Sequence, residues 1–343
     1  MVKIETERLL LYPISDVEMQ RVIDDEKDPD MKKAYAEMLQ GCLDYPEDRV
    51  WFATWNMELK NEPQTIVGDL CFKGITDDGM VEIGYGLKKG YCGNGYMTEA
   101  VRAITEWALS QNNVSRVEAE TDPDNLPSKR ILANVGFILT GEVGEEGPRF
   151  VLEKKITVCG TGYRIIKLLG HGKGGYSYLA DHDGQKVVLK QIHHEPCNYY
   201  TFGNKIQAEK NDYERITNAG IRAPKMLAID EENERIVKEY VDGKTIFDMI
   251  LEGTSVELYL SQVRAMAKKA FDAGLNIDYF PTNFVIQDGL LWYVDYECND
   301  YMEEWDFENW GIRYWSRTPE FEEYLKSDME YIRVTSVVRG KDK

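Results

Sequence analysis

The sequence predicts an α/β domain followed by an α+β domain, and three observations carry that prediction. A chain of 343 residues has room for about two domains of roughly 100–200 residues each. Residues 80–109 read as strand, glycine-rich loop and amphipathic helix. A second glycine cluster, Gly170 to Gly175, has strand-like residues on both sides.

Composition narrows the classes further. Hydrophobic residues make up 43% of the chain and charged residues 29%, which is a globular balance and argues against disorder. The apolar runs, such as Leu290 to Val294, are far too short for a membrane span. The first residues turn acidic at once at Glu5 and Glu7, unlike a signal peptide, so the expected compartment is the cytoplasm, with no membrane partner. Cys42, Cys71, Cys92, Cys159, Cys197 and Cys298 are scattered without a CxxC pair and are expected to be reduced. Against 41 basic residues stand 60 acidic ones, a formal charge of −19. That excess repels phosphate backbones, which excludes nucleic acid as a partner and suits a cationic small molecule.

In chain order, Thr65 to Phe72 and Met80 to Leu87 form a hairpin about Asp77-Asp78-Gly79. The loop Gly90 to Tyr96 opens a helix from Met97 to Leu109, and Val117 to Thr121 forms the next strand. Asp122-Pro123-Asp124-Asn125 then leads into a helix beginning near Pro127 and ended by Gly136. A glycine loop at a helix start exposes backbone N–H groups that suit a pyrophosphate. Ile156 to Tyr163 reads as a short connection, which divides the chain into domains 1–157 and 158–343. A strand over 164–169, the glycines, a strand at Tyr176 to Ala180, the turn Asp183-Gly184 and a strand at Val187 to Ile192 follow.

Four motifs in the first half are specific in combination: Val81-Glu82-Ile83-Gly84-Tyr85, Gly93-Asn94-Gly95-Tyr96-Met97-Thr98-Glu99-Ala100, Asn125-Leu126-Pro127-Ser128 and Val135-Gly136-Phe137. With Glu5 to Leu11, they make residues 3–155 resemble the GNAT acetyltransferases, in particular the ribosomal-protein N-acetyltransferase branch. The resemblance implies the GNAT fold, a mixed twisted sheet with flanking helices, and acetyl-CoA as cofactor. Its pyrophosphate would lie on the backbone of Cys92, Gly93, Asn94, Gly95, Tyr96 and Met97, with Asn125 and Ser128 near the pantetheine arm or the reacting carbonyl. Cys92 replaces the usual Arg or Gln, Met97 the usual Gly or Ala, and Leu132 the tyrosine acid of many relatives. Acetyl transfer to an amine needs a base. Glu82 is either that base or an exposed strand carboxylate, and Glu99 suits the dipole of its helix.

In the second half, strands on both sides of Gly170, Gly172 and Gly175 exclude a strand-to-helix dinucleotide loop and favour a phosphate-covering hairpin. Lys190 lies in Val187-Val188-Leu189-Lys190, Asp278 and Asn283 stand five apart, and Val294-Asp295-Tyr296-Glu297 follows the turn Asp288-Gly289. In this order, residues 164–297 resemble a minimal two-lobed protein-kinase-like fold. The resemblance implies Mg²⁺ with ATP or GTP. Lys190 would contact the α/β phosphates, oriented by Glu209, with Glu214 the second choice. Glu239 and Val241 would lie at the hinge beside the nucleotide, Asn283 and Asp295 would hold the metal, and Asp278 would take the proton of the attacking hydroxyl. Asn276-Ile277 replaces the His-Arg of protein kinases and no A-P-E follows, so this half is more similar to aminoglycoside and other small-molecule phosphotransferases.

Neighbouring His193 and His194 point to opposite faces of a strand and cannot chelate one ion together. Glu303 to Trp310 reads as a packed helix or as the lining of a cation or sugar pocket. The order of the two halves resembles the bifunctional aminoglycoside acetyltransferase/phosphotransferases. A bifunctional enzyme acting on small cationic amine or hydroxyl substrates is the leading expectation. The alternatives are one catalytic half regulated by a nucleotide- or CoA-sensing or docking half, and acetylation of a protein N-terminus.

Overall fold

The computed structural model describes residues 2–195 and 203–326, and everything below concerns those residues. They fall into two compact units. One takes the chain up to Lys155 together with Arg164–Leu168, and the other takes Ile156–Tyr163 and the chain from Leu169 onwards. Cys197 lies outside the described residues, and the other five cysteines are free thiols. No described helix is long and apolar enough to cross a membrane.

The first unit is built on strands β1 (Ile4–Glu5), β2 (Leu9–Pro13), β3 (Thr54–Leu59), β4 (Ile66–Ile75), β5 (Met80–Leu87), β6 (Arg116–Glu120), β7 (Ile138–Val143) and β8 (Pro148–Glu153). They form one sheet in the order β1-β2-β3-β4-β5-β6-β8-β7. All pairings are antiparallel except β5 with β6. Helices α1 (Asp16–Asp25), α2 (Pro29–Asp44), α3 (Tyr96–Ser110) and α4 (Leu126–Val135) complete the unit. Helix α3 buries Met97, Ala100, Val101, Ile104 and Ala108, an i, i+3/i+4 stripe, against Leu70, Phe72, Val81 and Ile83 of the sheet. The Trp107 ring on α3 packs at tilted angles against Trp51 and Trp55, with ring centroids 5.2 and 5.1 Å apart. Each such large apolar group contributes roughly 1.5–3 kcal/mol by leaving water. The opposite sheet face carries a smaller cluster of Ile14, Met19, Cys42 and Ala53 under α1 and α2.

The second unit begins where a plain connection is expected, yet the structure has a hairpin there. Strand β9 (Lys155–Val158) turns at Cys159 and Gly160, both at positive φ (48° and 82°), into β10 (Thr161–Gly172). Strands β11 (Gly175–His182) and β12 (Gln185–Ile192) follow, then α5 (Lys205–Asn218), β13 (Met226–Asp230) and β14 (Arg235–Glu239). These strands make a sheet in the order β13-β14-β12-β11-β10-β9. Gly170, Gly172 and Gly175 therefore sit inside β10 and β11, and the loop expected over 170–175 shrinks to a turn at Lys173-Gly174. Pairing continues to the very ends of the two strands because glycine can adopt extended backbone as readily as a loop.

Beyond β14 come β15 (Lys244–Thr245), α6 (Ile246–Leu251), α7 (Glu257–Asp272), β16 (Leu275–Ile277), β17 (Phe284–Gln287), β18 (Leu290–Tyr293) and β19 (Cys298–Asp300). The turn Asp183-Gly184 has φ of 51° and 82°, and Asp288-Gly289 has 53° and 73°. Two consecutive positive φ values are the type I′ geometry that Asp-Gly favours in tight hairpins. Val263, Met266 and Ala270 of α7 join Phe284, Tyr293, Phe307 and Trp315 in the core. The Trp315 indole N–H donates to the Tyr279 carbonyl at 2.8 Å, satisfying its one polar atom. Glu303 to Trp310 is not a helix: Glu303–Trp305 is a short 3-10 turn, and Phe307 drops into the core.

Candidate active sites

In the first unit the sheet opens beside α3. Strands β5 and β6 pair only at Met80↔Arg116, Val81↔Val117 and Glu82↔Glu118, after which β5 runs on for five residues without that partner. Across this wedge the Tyr85 hydroxyl, on β5, lies 2.8 Å from the Ser128 hydroxyl, on α4. Ser128 is buried, and burial also raises the Tyr85 phenol above its ordinary value, against the hydrogen bond from Ser128. Asn125 spends its side-chain oxygen as the N-cap of α4, accepting the Ser128 N–H at 3.1 Å.

The loop that ends in α3 has the geometry of an anion cradle. Gly93 and Gly95 have φ of 81° and 79°, where side chains are strained, and no side chain caps the helix. Its first N–H groups are thus left for a ligand. Met97 turns into the core, so it offers main chain only, and Cys92 is exposed with its thiol 3.9 Å from the Lys88 carbonyl. Leu132 is fully buried and belongs to the core.

Arg8, which sequence reasoning did not single out, ties this loop down. Its Nη1 donates to the Asn94 carbonyl at 2.9 Å, its Nε to Glu99 at 2.7 Å, and its guanidinium lies 4.5 Å from the Tyr96 ring centroid. Glu99 also accepts the Thr6 hydroxyl at 2.5 Å and the Arg8 N–H at 2.8 Å. Burial would raise the Glu99 carboxyl, but these hydrogen bonds hold it below its ordinary value. Glu99 therefore serves the loop through Arg8 as well as the helix dipole. The only sequence signal was the presence of both residues in the matching motifs, 91 positions apart. Arg8→Ala is expected to raise the KM for acetyl-CoA about tenfold, the worth of one charge-assisted hydrogen bond, with kcat little changed. Steady-state kinetics with acetyl-CoA varied will check it.

Glu82 stands where the β5–β6 pairing ends but is neither free nor fully exposed. It pairs with Lys73, which also contacts Glu146 at 2.8 Å, and its side chain retains 16% exposure. The exposed strand carboxylate expected as its alternative role is replaced by an ion pair.

The second unit brings Lys190, Glu209, Asp295, Asp278 and Asn283 near one another. Lys190 on β12 is ion-paired with Glu209 on α5, and its Nζ is 3.9 Å from Asp295. Gly174 lies over this pair, since a Cβ there would meet Lys190 Nζ at 3.2 Å and Glu209 Oε1 at 3.6 Å. Gly175 lies against the Gln191 carbonyl, where a Cβ would come within 2.4 Å, whereas Gly170 and Gly172 have open space around them. Gly175 is thus the glycine at which backbone leaves no room for a side chain, and Gly174 the one that lies over the Lys190–Glu209 pair.

Burial raises the Asp295 carboxyl, but the charges of Lys190 and Lys238 outweigh it and hold the group below its ordinary value. Asp278 behaves oppositely. Burial, then the charges of Glu297 and Asp295, raise it, opposed by the Phe280 N–H at 3.0 Å and by Lys173. Lys173 at the hairpin turn reaches Glu297 at 2.6 Å. Asn283 follows Asp278 through a short 3-10 turn, its amide N–H₂ donating to the Asp278 carbonyl at 3.4 Å. Its carbonyl accepts the Val294 N–H at 2.9 Å, which joins the Asn283 and Asp295 segments.

Glu214 takes no part in the Lys190 pair. The Glu239 N–H donates to the Lys225 carbonyl at 3.0 Å, the Lys225 N–H donates to the Glu239 carboxylate at 3.0 Å, and Val241 is buried. His193 and His194 do diverge: His194 pairs with Glu234 at 2.5 Å, while His193 meets His171 at 3.1 Å.

Comparison with known proteins bears on the family of the first unit. Residues 5–138 match the family described as acetyltransferase (GNAT) domain. The chain is 39% identical over 95 residues to the uncharacterized N-acetyltransferase YjdG of Bacillus subtilis, covering 27% of this chain and 56% of that protein. It is 23% identical over 203 residues to the KEOPS complex subunit Bud32 of Pyrococcus abyssi, covering 52% and 89%. Among solved structures, the ribosomal-protein-S5-alanine acetyltransferase from Vibrio fischeri aligns at a TM-score of 0.37 and 18% identity, over 45% of this chain and 97% of that one. The chain spans about half the length of the curated acetyltransferases it matches first. Its N-terminal part is a GNAT acetyltransferase domain.

Proposed function

We propose that the chain is bifunctional, acetylating an amine from acetyl-CoA in its first unit and phosphorylating a hydroxyl from a Mg-nucleotide in its second. The acetyl half rests on the uncapped α3 terminus beside the β5–β6 wedge. The glycine loop suits the pyrophosphate of acetyl-CoA by main-chain contacts, and the wedge suits its pantetheine arm. Ser128, relayed by Tyr85, has the hydroxyl geometry to return a proton to the leaving thiolate, the role left open by Leu132. Glu82, at the last β5–β6 pair, is the carboxylate assigned to the incoming amine.

The phosphoryl half rests on the Lys190–Glu209–Asp295 constellation, supported by the Bud32 match over more than half the chain. Oxygen donors of Asp295 and Asn283 fit Mg²⁺, which favours carboxylate and amide oxygen over nitrogen or sulfur. Bound there, the metal would neutralise charge on the nucleotide phosphates. Asp278 accepts the proton of the attacking hydroxyl, and Lys190 binds phosphate oxygens. A net charge of −19 favours a cationic acceptor, aminoglycoside-like in chemistry.

The test is mass spectrometry of aminoglycosides, polyamines and a bacterial metabolite extract after incubation with the protein, acetyl-CoA and Mg-ATP or Mg-GTP. Acetyl and phosphoryl mass shifts on cationic compounds are expected. Intact acetyl-CoA and nucleotide with every acceptor, peptide N-termini included, would sink the reading.

A further inference from the structure

Lys238 is a buried lysine in the second unit that the proposed chemistry does not use. It is 6% exposed, as secluded as the 8% exposed Lys190. In the β12–β14 register Val188 faces Lys238 and Lys190 faces Ile236. Cross-strand partners and alternate residues share a face, so both lysines project from the same side of the sheet. The Lys238 Nζ donates to the Val294 carbonyl at 2.5 Å and lies 4.6 Å from the Tyr296 ring centroid. Among the described residues no carboxylate lies within 4 Å of it, although Asp295 sits between the two residues it touches. A buried ammonium held by only a carbonyl and a ring is costly, and an apolar side chain of equal length would fill the space at less cost.

The cost becomes intelligible from what Lys238 holds. Its hydrogen bond fixes the peptide immediately before Asp295, while the Asp295 Oδ1 accepts the Tyr296 N–H at 2.7 Å. Tyr296 is itself buried, its hydroxyl anchored on the Pro224 carbonyl at 2.8 Å. Asp295 is thus presented toward Lys190 by a segment fastened on both sides. We propose that Lys238 is a positioning residue of the nucleotide site, fastening the Asp295 segment so that its carboxylate meets the metal of a Mg-bound polyphosphate. This rests on the phosphotransferase reading above.

The experiment titrates trinitrophenyl-ATP into the full chain, with and without Mg²⁺, and compares wild type, Lys238→Met and Lys190→Met, with melting temperatures recorded for each. Lys238→Met is expected to weaken Mg-dependent binding about tenfold or more, to leave Mg-free binding unchanged, and to melt no lower than wild type. Retained Mg-dependence in Lys238→Met would overturn the proposal. So would an equal loss with and without metal, or a lower melting temperature, since each marks a structural role. If wild type fails to bind the probe with Mg²⁺, or Lys190→Met binds it as wild type does, the phosphotransferase reading falls and the proposal with it.

Discussion

Asp278→Ala is expected to lower nucleotide-dependent phosphoryl transfer by roughly 10²–10⁴-fold, the usual share of a positioned general base. Nucleotide binding should persist, because Lys190, Glu209 and Asp295 remain in place. The wild-type pH profile offers an independent check. Burial and the charges of Glu297 and Asp295 raise the Asp278 carboxyl. A base must be unprotonated to act, so the rate should climb with pH through a value above the ordinary carboxylate range of about 4. Glu297→Gln removes one of the raising charges and should move that limb to lower pH. The same shift has a thermodynamic counterpart. A carboxyl whose folded pKa is raised takes up a proton on folding, so its contribution to stability declines as pH rises from the unfolded toward the folded pKa.

Glu209→Ala is expected to damage the second unit's stability as well as its nucleotide binding. The Lys190 and Glu209 side chains are only 10% and 14% exposed, and the variant strands a buried ammonium. Breaking a buried pair from one side costs about 3–5 kcal/mol. The low end applies, because Asp295 at 3.9 Å keeps part of the compensation. About 3 kcal/mol corresponds to roughly 6–12 °C in melting temperature for a unit of this size, which calorimetry can read. Recovery of stability but not of nucleotide binding in Lys190→Met/Glu209→Leu would separate the two roles of the pair.

Much of this architecture was legible because local chemistry dictates it. Asp183-Gly184 and Asp288-Gly289 announce hairpins since few other pairs accept two positive φ values in succession. The α3 stripe from Met97 to Ala108 announces a helix by its spacing, and the glycines before it announce an open N-terminus. Lys190 could be assigned because it belongs to a run of strand residues ordered against later motifs. What escaped was set by long-range approach. Nothing local to Arg8 shows that the chain returns beside it at Asn94 and Glu99. Glu82 and Lys73 meet across a hairpin whose register has a bulge between Phe72 and Ile75, so their pairing could not be counted from the turn. Gly174 and Gly170 look alike in sequence, yet only the former lies over another side chain's charge. Lys238 reads as a polar residue of an ordinary strand until Val294 and Tyr296 meet its side chain from far along the chain.

The short β5–β6 pairing leaves the first unit with an unfinished sheet. Beyond Glu82 and Glu118 the two strand edges part, and the peptide groups of residues 83–87 on that side have no neighbouring strand. A molecule bearing amides at peptide-like intervals, as a pantetheine arm does, can complete such an edge as a guest strand. Recognition of that kind is written in the backbone. It tolerates drift in the side chains around it, because the peptide groups of an edge strand stay the same whatever side chains they carry.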